Sequence, residues 1–202
     1  MHPNPIFRRT EIRKSLAFAR ARAFGTLLAN GDATPRVAHV PFLLSEDGQT
    51  ADLHLLRSNP LARAAPTMAK LSILGPDSYI SPDWYEAADQ VPTWNYIAVH
   101  LTGTLELLPQ DDLHALLDRQ SAHFETQLKP KTPWTTAKMT PDVLEKMMRV
   151  IQPARLTISD VDSTWKLNQN KPDAVRQRAA QEVAQNGIGT SLDALAAHMR
   201  TP

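Results

Sequence analysis

Three runs of strand composition lie between residues 24 and 57, and the connections between them are too short for anything but antiparallel neighbours. The first is Phe24–Ala29. Asn30-Gly31-Asp32 turns the chain into Arg36–Leu44, where Pro41 calls for an edge or a bulge, and Glu46-Asp47-Gly48 leads into a third run over 52–57. Such a series is a meander or part of a barrel. A fourth strand is expected over 70–74 and a long one over 94–108. In the long strand Trp94, Tyr96, Ala98, His100 and Thr102 share one face, and Asn95, Ile97, Val99, Leu101 and Gly103 the other. Its length calls for a bend near Gly103 or passage between two sheets. Residues 155–163 supply the last barrel strand through Leu156, Ile158 and Val161.

The helices lie outside this frame. Thr10 can cap one running to about residue 22, with Ile12, Leu16, Ala19 and Ala23 at helical spacing. Asn59 and Pro60 form a cap and first-turn pair. Residues 111–128 carry the stripe Leu113, Leu116, Leu117 and Phe124. A helix beginning at Thr140-Pro141 turns Val143, Leu144, Met147, Met148 and Ile151 inward. Beyond Pro172 an Ala- and Gln-rich helix ends at Gly187, and a short one over 192–199 follows. The fold class is mainly β with peripheral helices (α+β).

Composition excludes several function classes. The 202 residues carry 22 basic and 21 acidic side chains, so no overall field recruits nucleic acid. The notable basic cluster is Arg8, Arg9, Arg13, Lys14, Arg20 and Arg22. No cysteine is present, which removes disulfides and thiolate chemistry, and the seven histidines show no metal-ligand spacing. No secretory h-region or membrane-length apolar run occurs, so a cytoplasmic protein is expected, with no membrane partner.

Three places carry candidate chemistry. Residues 75–100 hold all three tyrosines and two of the four tryptophans, with prolines stiffening the backbone and Ser78, Ser81, Thr93 and Asn95 between the rings. This is either a rigid platform for a flat polar ligand or a corner of the core. Arg57, Ser58 and the Asn59 cap meet at a strand end, which either suits a phosphate or is an ordinary capped helix. Lys166, Asn168, Gln169 and Asn170 form a dense polar set after the last strand, readable also as a plain turn.

The blocks GPDSYISPDWY (75–85), VPTWNY (91–96) and KLNQN (166–170), with AHVPF (38–42) and HLLRSNP (54–60), resemble the signatures of the PaiB-type FMN-binding negative transcriptional regulators. The resemblance covers about residues 1–175. The chain departs from it at Asn168, where the family has Ser, and at Leu56, where it has Ala. It implies an FMN-binding split β-barrel related to flavin reductases and pyridoxamine-phosphate oxidases, homodimeric, with FMN at the subunit interface. The barrel domain would span 1–175, and 176–202 would form a helical extension packed on the barrel or on the partner subunit. Arg57, Ser58 and Asn59 would then lie near the flavin phosphate. Ser81, Thr93 and Asn95 would bond the ring edge or ribityl chain, Trp84 and Trp94 would pack on the ring or the partner, and Lys166, Gln169 and Asn170 would add further contacts.

The function this implies is an FMN-binding negative regulator, acting on DNA directly or through a regulatory protein. The alternative is a flavin-dependent oxidoreductase, for which His100 is the candidate proton donor. A weaker alternative is a haem-binding barrel using His39, His54 or His100. A vacant barrel acting as a dimeric interaction module ranks above haem.

Overall fold

In the computed structural model, which describes residues 2–202, β1 (Phe24–Ala29), β2 (Arg36–Leu44) and β3 (Thr50–Leu56) form the antiparallel series read from the turns. Gly48 supplies the left-handed residue of the second turn at φ 74°. The Asp47 carboxylate accepts from Ser45 Oγ at 2.6 Å and from the backbone N–H of Gln49 at 3.0 Å. Three longer strands follow: β4 (Thr67–Ile80), β5 (Thr93–Leu107) and β6 (Ile151–Lys166), with β7 (Ile188–Thr190) as a short addition to β4. The order β1-β2-β3-β6-β5-β4 closes on itself, because Thr26–Ala29 of β1 pair with Ala69–Ser72 of β4. The result is a closed six-stranded antiparallel barrel, the split-barrel fold.

The chain divides into two units. The barrel unit comprises residues 19–72 and 101–161. Its interior is lined by alternate strand residues: Leu27, Phe42, Ala51, Leu53, Leu71, Leu101, Leu105, Ala154 and Leu156 are at most 1% exposed. Each leucine so placed contributes about 1.5–3 kcal/mol. Gly103 is needed where β5 crosses β6, since a Cβ there would stand 1.9 Å from the Thr157 carbonyl oxygen.

The second unit comprises residues 1–18, 73–100 and 162–202. Here α5 (Asp173–Asn186) and α6 (Leu192–Arg200) bury Ala179, Ala180, Val183, Leu195, Ala196 and Met199 against Ile80, Tyr85, Ile97, Trp165 and Leu167. The indole N–H of Trp165 donates to Ser15 Oγ at 3.0 Å, and that hydroxyl donates to Ser163 Oγ at 2.9 Å. β4, β5 and β6 each contribute residues to both units.

Several expectations need correction. The fourth strand extends to Ile80, so residues 75–80 of the aromatic stretch are strand. Its buried positions shift from 69, 71 and 73 to 76, 78 and 80, a one-residue slip at Gly75-Pro76 that conceals the alternation. In α1 (Ile12–Arg22) Ile12 is exposed, while Ser15 and Ala19 are buried. In α3 (Leu113–Glu125) Gln120 completes the buried stripe, with Leu117 and Phe124 only half-buried. The helix α4 (Pro141–Met148) buries none of its residues; Val143 and Met147 are exposed, and Ile151 belongs to β6. The five-residue α2 (Pro60–Ala64) starts at Asn59 as read.

Candidate functional site

In the second unit, β5 starts at Thr93 and β6 ends at Lys166, and the tight turn after β6 carries Asn168, Asn170 and Lys171. These five polar residues line a cavity of about 170 Å³, closed further by the rings of Phe7 and Tyr85 and by Val91. Asn168 holds a left-handed backbone at φ 62°, a conformation asparagine adopts more readily than most residues. Its Oδ1 accepts from the Tyr85 hydroxyl at 3.3 Å, while its Nδ2 is buried with no hydrogen-bond partner among the described residues.

The electrostatics follow from this placement. Lys166 Nζ donates to Thr93 Oγ1 and stands 5.9 Å from the centre of the Phe7 ring. Burial pushes its pKa below the usual lysine range. Lys171 Nζ donates to Gln90 Oε1 and lies 4.9 Å from the Tyr85 ring centre, a cation–π distance. Burial pushes the Tyr85 phenol up, the Asn168 bond opposing it. No carboxylate lines the cavity.

The remaining candidates are placed as follows. Asn95 is fully buried on β5 with neither amide atom paired. Trp94, one residue before it, is 47% exposed and meets Tyr79 edge-to-face at 6.4 Å. Ser81 Oγ accepts from the Asp83 N–H at 3.3 Å and caps the short 3-10 turn Pro82–Tyr85, and Trp84 packs on the α5–α6 core. Gln169 folds onto its own turn, accepting from the Leu167 N–H at 2.8 Å and donating to the Trp165 carbonyl. The structure therefore brings together Thr93, Lys166 and Asn170, while Ser81 serves local backbone and Gln169 bonds its own turn and the Ile6 carbonyl at 3.5 Å.

Arg57, Ser58 and Asn59 belong to the barrel unit. Arg57 is exposed, its Nε donating to the Arg149 carbonyl at 2.8 Å and its Nη2 to Gln110 Oε1. Asn59 Oδ1 accepts from the Leu61 N–H at 2.9 Å, so its acceptor is occupied by the cap, and Ser58 is exposed. Arg57 and Arg63 line a shallow recess of about 90 Å³.

The histidines divide likewise. His39 bonds Thr26 Oγ1 at 3.1 Å, His54 bonds Gln120 Oε1 at 2.9 Å, and His100 is half-buried on β5 and does not line the Lys166 cavity. Among the described residues no group of three or more His, Cys, Asp or Glu could hold a metal ion, and no helix is long and apolar enough to cross a membrane. Of the basic cluster, Arg8 pairs with Asp162 at 3.2 Å, Lys14 stands 5.0 Å from the Trp165 ring centre, and Arg20 donates to the Ser45 carbonyl at 2.7 Å. Phe7 and Lys171 were not among the sequence candidates for ligand contact, while Asn168 stood in the polar set and Tyr85 among the rings of the aromatic stretch. The run Lys166 to Lys171 was the available signal for Lys171, and nothing local marked Phe7.

Residues 1–160 match the family described as "Putative FMN-binding domain". The chain is 28% identical over 175 residues to the protease synthase and sporulation protein PAI 2 of Bacillus subtilis (strain 168), covering 85% of this chain and 83% of that protein. Two solved structures share the fold. The FAD and heme binding protein from Mycobacterium smegmatis aligns with a TM-score of 0.59 at 16% identity, covering 91% of this chain and 82% of its own. The flavocytochrome Anf3 from Azotobacter vinelandii aligns with a TM-score of 0.59 at 14% identity, covering 82% and 72% respectively.

Proposed function

The chain belongs to this FMN-binding family, and we propose that it is a flavin-binding negative regulator of the PaiB type, working as a homodimer. The observation that carries the reading is the family match over residues 1–160, and the likeness to the B. subtilis sporulation protein over most of both chains supports the regulatory half. FMN is the cofactor; when bound it supplies a flat redox-active ring and a phosphate.

The residues present fit such a group. The exposed Trp94 offers an aromatic face. Asn95 has an amide with two unused hydrogen-bonding atoms, and a buried amide left that way costs about 1–3 kcal/mol until something pairs it. Thr93, Lys166 and Asn170 add polar contacts at one cavity. In the barrel unit Arg57 and Ser58 are the proposed contacts, Arg57 exchanging its bonds to Arg149 and Gln110 for an anionic group.

A visible absorption spectrum before and after adding excess FMN and desalting tests the reading. Retained flavin bands are expected, weakened in Lys166→Ala or Arg57→Ala. A colourless protein that releases added FMN overturns the flavin half. Binding to operator DNA at several salt concentrations tests the regulatory half. Direct contact through Arg9, Arg13 and Arg22 requires affinity to fall steeply with salt, and a flat response points to a protein partner instead. The oxidoreductase reading would return if a nicotinamide cofactor bleached the bound flavin.

A further inference from the structure

The cavity between the start of β5 and the turn after β6 is distinctive for what is missing from its wall. Its polar lining offers two ammonium groups, two carboxamides and the hydroxyls of Thr93 and Tyr85, and no carboxylate. Neither Lys166 nor Lys171 has an ion-pair partner among the described residues; their bonds go to the neutral Thr93 hydroxyl and the neutral Gln90 amide, and their remaining contacts are aromatic faces. Some other part-buried cations of the chain meet a carboxylate, as where Arg155 meets Asp52 at 2.7 Å or Arg176 meets Asp173 at 2.7 Å.

A second, independent feature points the same way. Asn168 is 2% exposed, lines the cavity, and has an Nδ2 donor without an acceptor. It is held there by a left-handed backbone, a conformation that costs free energy in a non-glycine residue and that clusters at ligand sites. Desolvation has already lowered the Lys166 pKa, and a bound anion would reverse that penalty. The size sets a limit as well. At about 170 Å³ the cavity is smaller than the roughly 300 Å³ at which sites for whole drug-sized ligands begin, so it suits one charged group and not a whole flavin.

We infer that this cavity is an oxyanion site, in which Lys166 and Lys171 clamp a phosphate or carboxylate group and Asn168 Nδ2 donates the third bond. Two sources share that chemistry: a free small anion, or the phosphate end of FMN. Only the second form rests on the flavin reading. The site differs from the Arg57 corner, whose guanidinium already holds two acceptors.

The test uses the full chain, titrated calorimetrically with inorganic phosphate, and separately measured for retention of FMN and of riboflavin after desalting. Wild-type protein is expected to bind phosphate, to prefer FMN over riboflavin, or both. Lys166→Gln and Lys171→Gln should each weaken that binding about tenfold or more, equivalent to roughly 1.4 kcal/mol. Asn168→Asp keeps the side chain's shape and its tolerance of the left-handed backbone, and its added carboxylate should repel the same ligand. It covers the case in which a lysine variant does not fold. Loss of the FMN preference in the variants assigns the anion to the flavin's phosphate. Loss of phosphate binding with FMN retention unchanged assigns it to a free anion. If wild-type protein binds phosphate but no flavin, the flavin reading falls and the oxyanion site stands. The inference is overturned if folded variants bind phosphate and discriminate FMN from riboflavin as wild type does, or if wild type does neither.

Discussion

The barrel unit and the unit built on α5 and α6 treat polar side chains in opposite ways. In the barrel, Asp52 is 8% exposed yet fully engaged, taking two bonds from Arg155 at 2.7 and 3.0 Å and one from Arg119 at 3.1 Å. His54 and Gln120 bond each other, and Gln120 also reaches the Pro41 carbonyl. In the second unit Asn95 and Asn168 keep buried amide atoms without a hydrogen-bond partner, and Arg176 adds its guanidinium Nε, whereas Arg178 Nε lies 3.2 Å from Glu86 Oε2. The barrel unit has one counterpart among the described residues, His123 Nε2. Satisfied polar groups hold a scaffold in one geometry; unsatisfied ones hold capacity in reserve for a ligand. The contrast accords with the proposed oxyanion cavity lying in the second unit, while the barrel's polar pairs serve the scaffold.

The harshest way to break this contrast is to remove the core on which the second unit depends. Trp165→Ala deletes a ring that is 2% exposed and meets Phe18 and His198 edge-to-face. Urea unfolding should show a loss of about 3–5 kcal/mol. In the barrel, Asp52→Asn leaves two arginines without their carboxylate and should cost about 1–3 kcal/mol by the same assay. A neutral result would mean that the pairing there is ornamental. Asn95→Leu should do the reverse. It exchanges an unpaired amide for an isosteric apolar group, raising stability by about 1 kcal/mol while reducing FMN retention. If stability falls, Asn95 is satisfied in solution and the contrast fails at that residue.

The smallest expected effect is electrostatic. Burial, and then the charge of Lys14, hold the His198 pKa below its ordinary 6.5. The folded state therefore resists protonation, and the unfolded chain binds more protons as the pH falls through 6.5. Stability contributed by neutral His198 is present above that value and is lost progressively below it. The unfolding midpoint should rise between pH 5 and 7, and His198→Gln should flatten the rise. His2 shifts in the same direction, burial leading, so a residual slope after the substitution belongs to it.

The barrel was legible in the sequence because its signals are local. Alternation in 24–29 and 36–44, the Gly48 turn and the Asn59-Pro60 cap each act within a few residues, and the structure realises each of them. Strand β4 was read short because the slip at Gly75-Pro76 breaks the period on which a strand assignment rests. In α4 the periodicity correctly gave an amphipathic helix but could not say whether its apolar face is covered, and Val143 and Met147 lie open. The oxyanion cavity was hardest to read. Phe7, Tyr85, Thr93 and Lys171 are far apart in sequence and meet only after folding, and the pairing of Tyr85 with Asn168 spans 83 positions. The sequence motifs marked Thr93 and Lys166 as polar residues of interest; a missing counter-ion can be seen only in three dimensions.

The sharing of β4, β5 and β6 between the two units bears on how this protein can change. The second unit is assembled from three separated stretches of chain and the barrel unit from two. No single cut in the gene releases either as a continuous piece, and neither can be transplanted as a cassette. A lineage could alter the ligand chemistry only by substitution in place, at the ends of strands whose middles are fixed by the barrel. Divergence would then show as changed side chains at positions such as 93, 166, 168 and 171 on an unchanged framework, and domain exchange would leave no trace here.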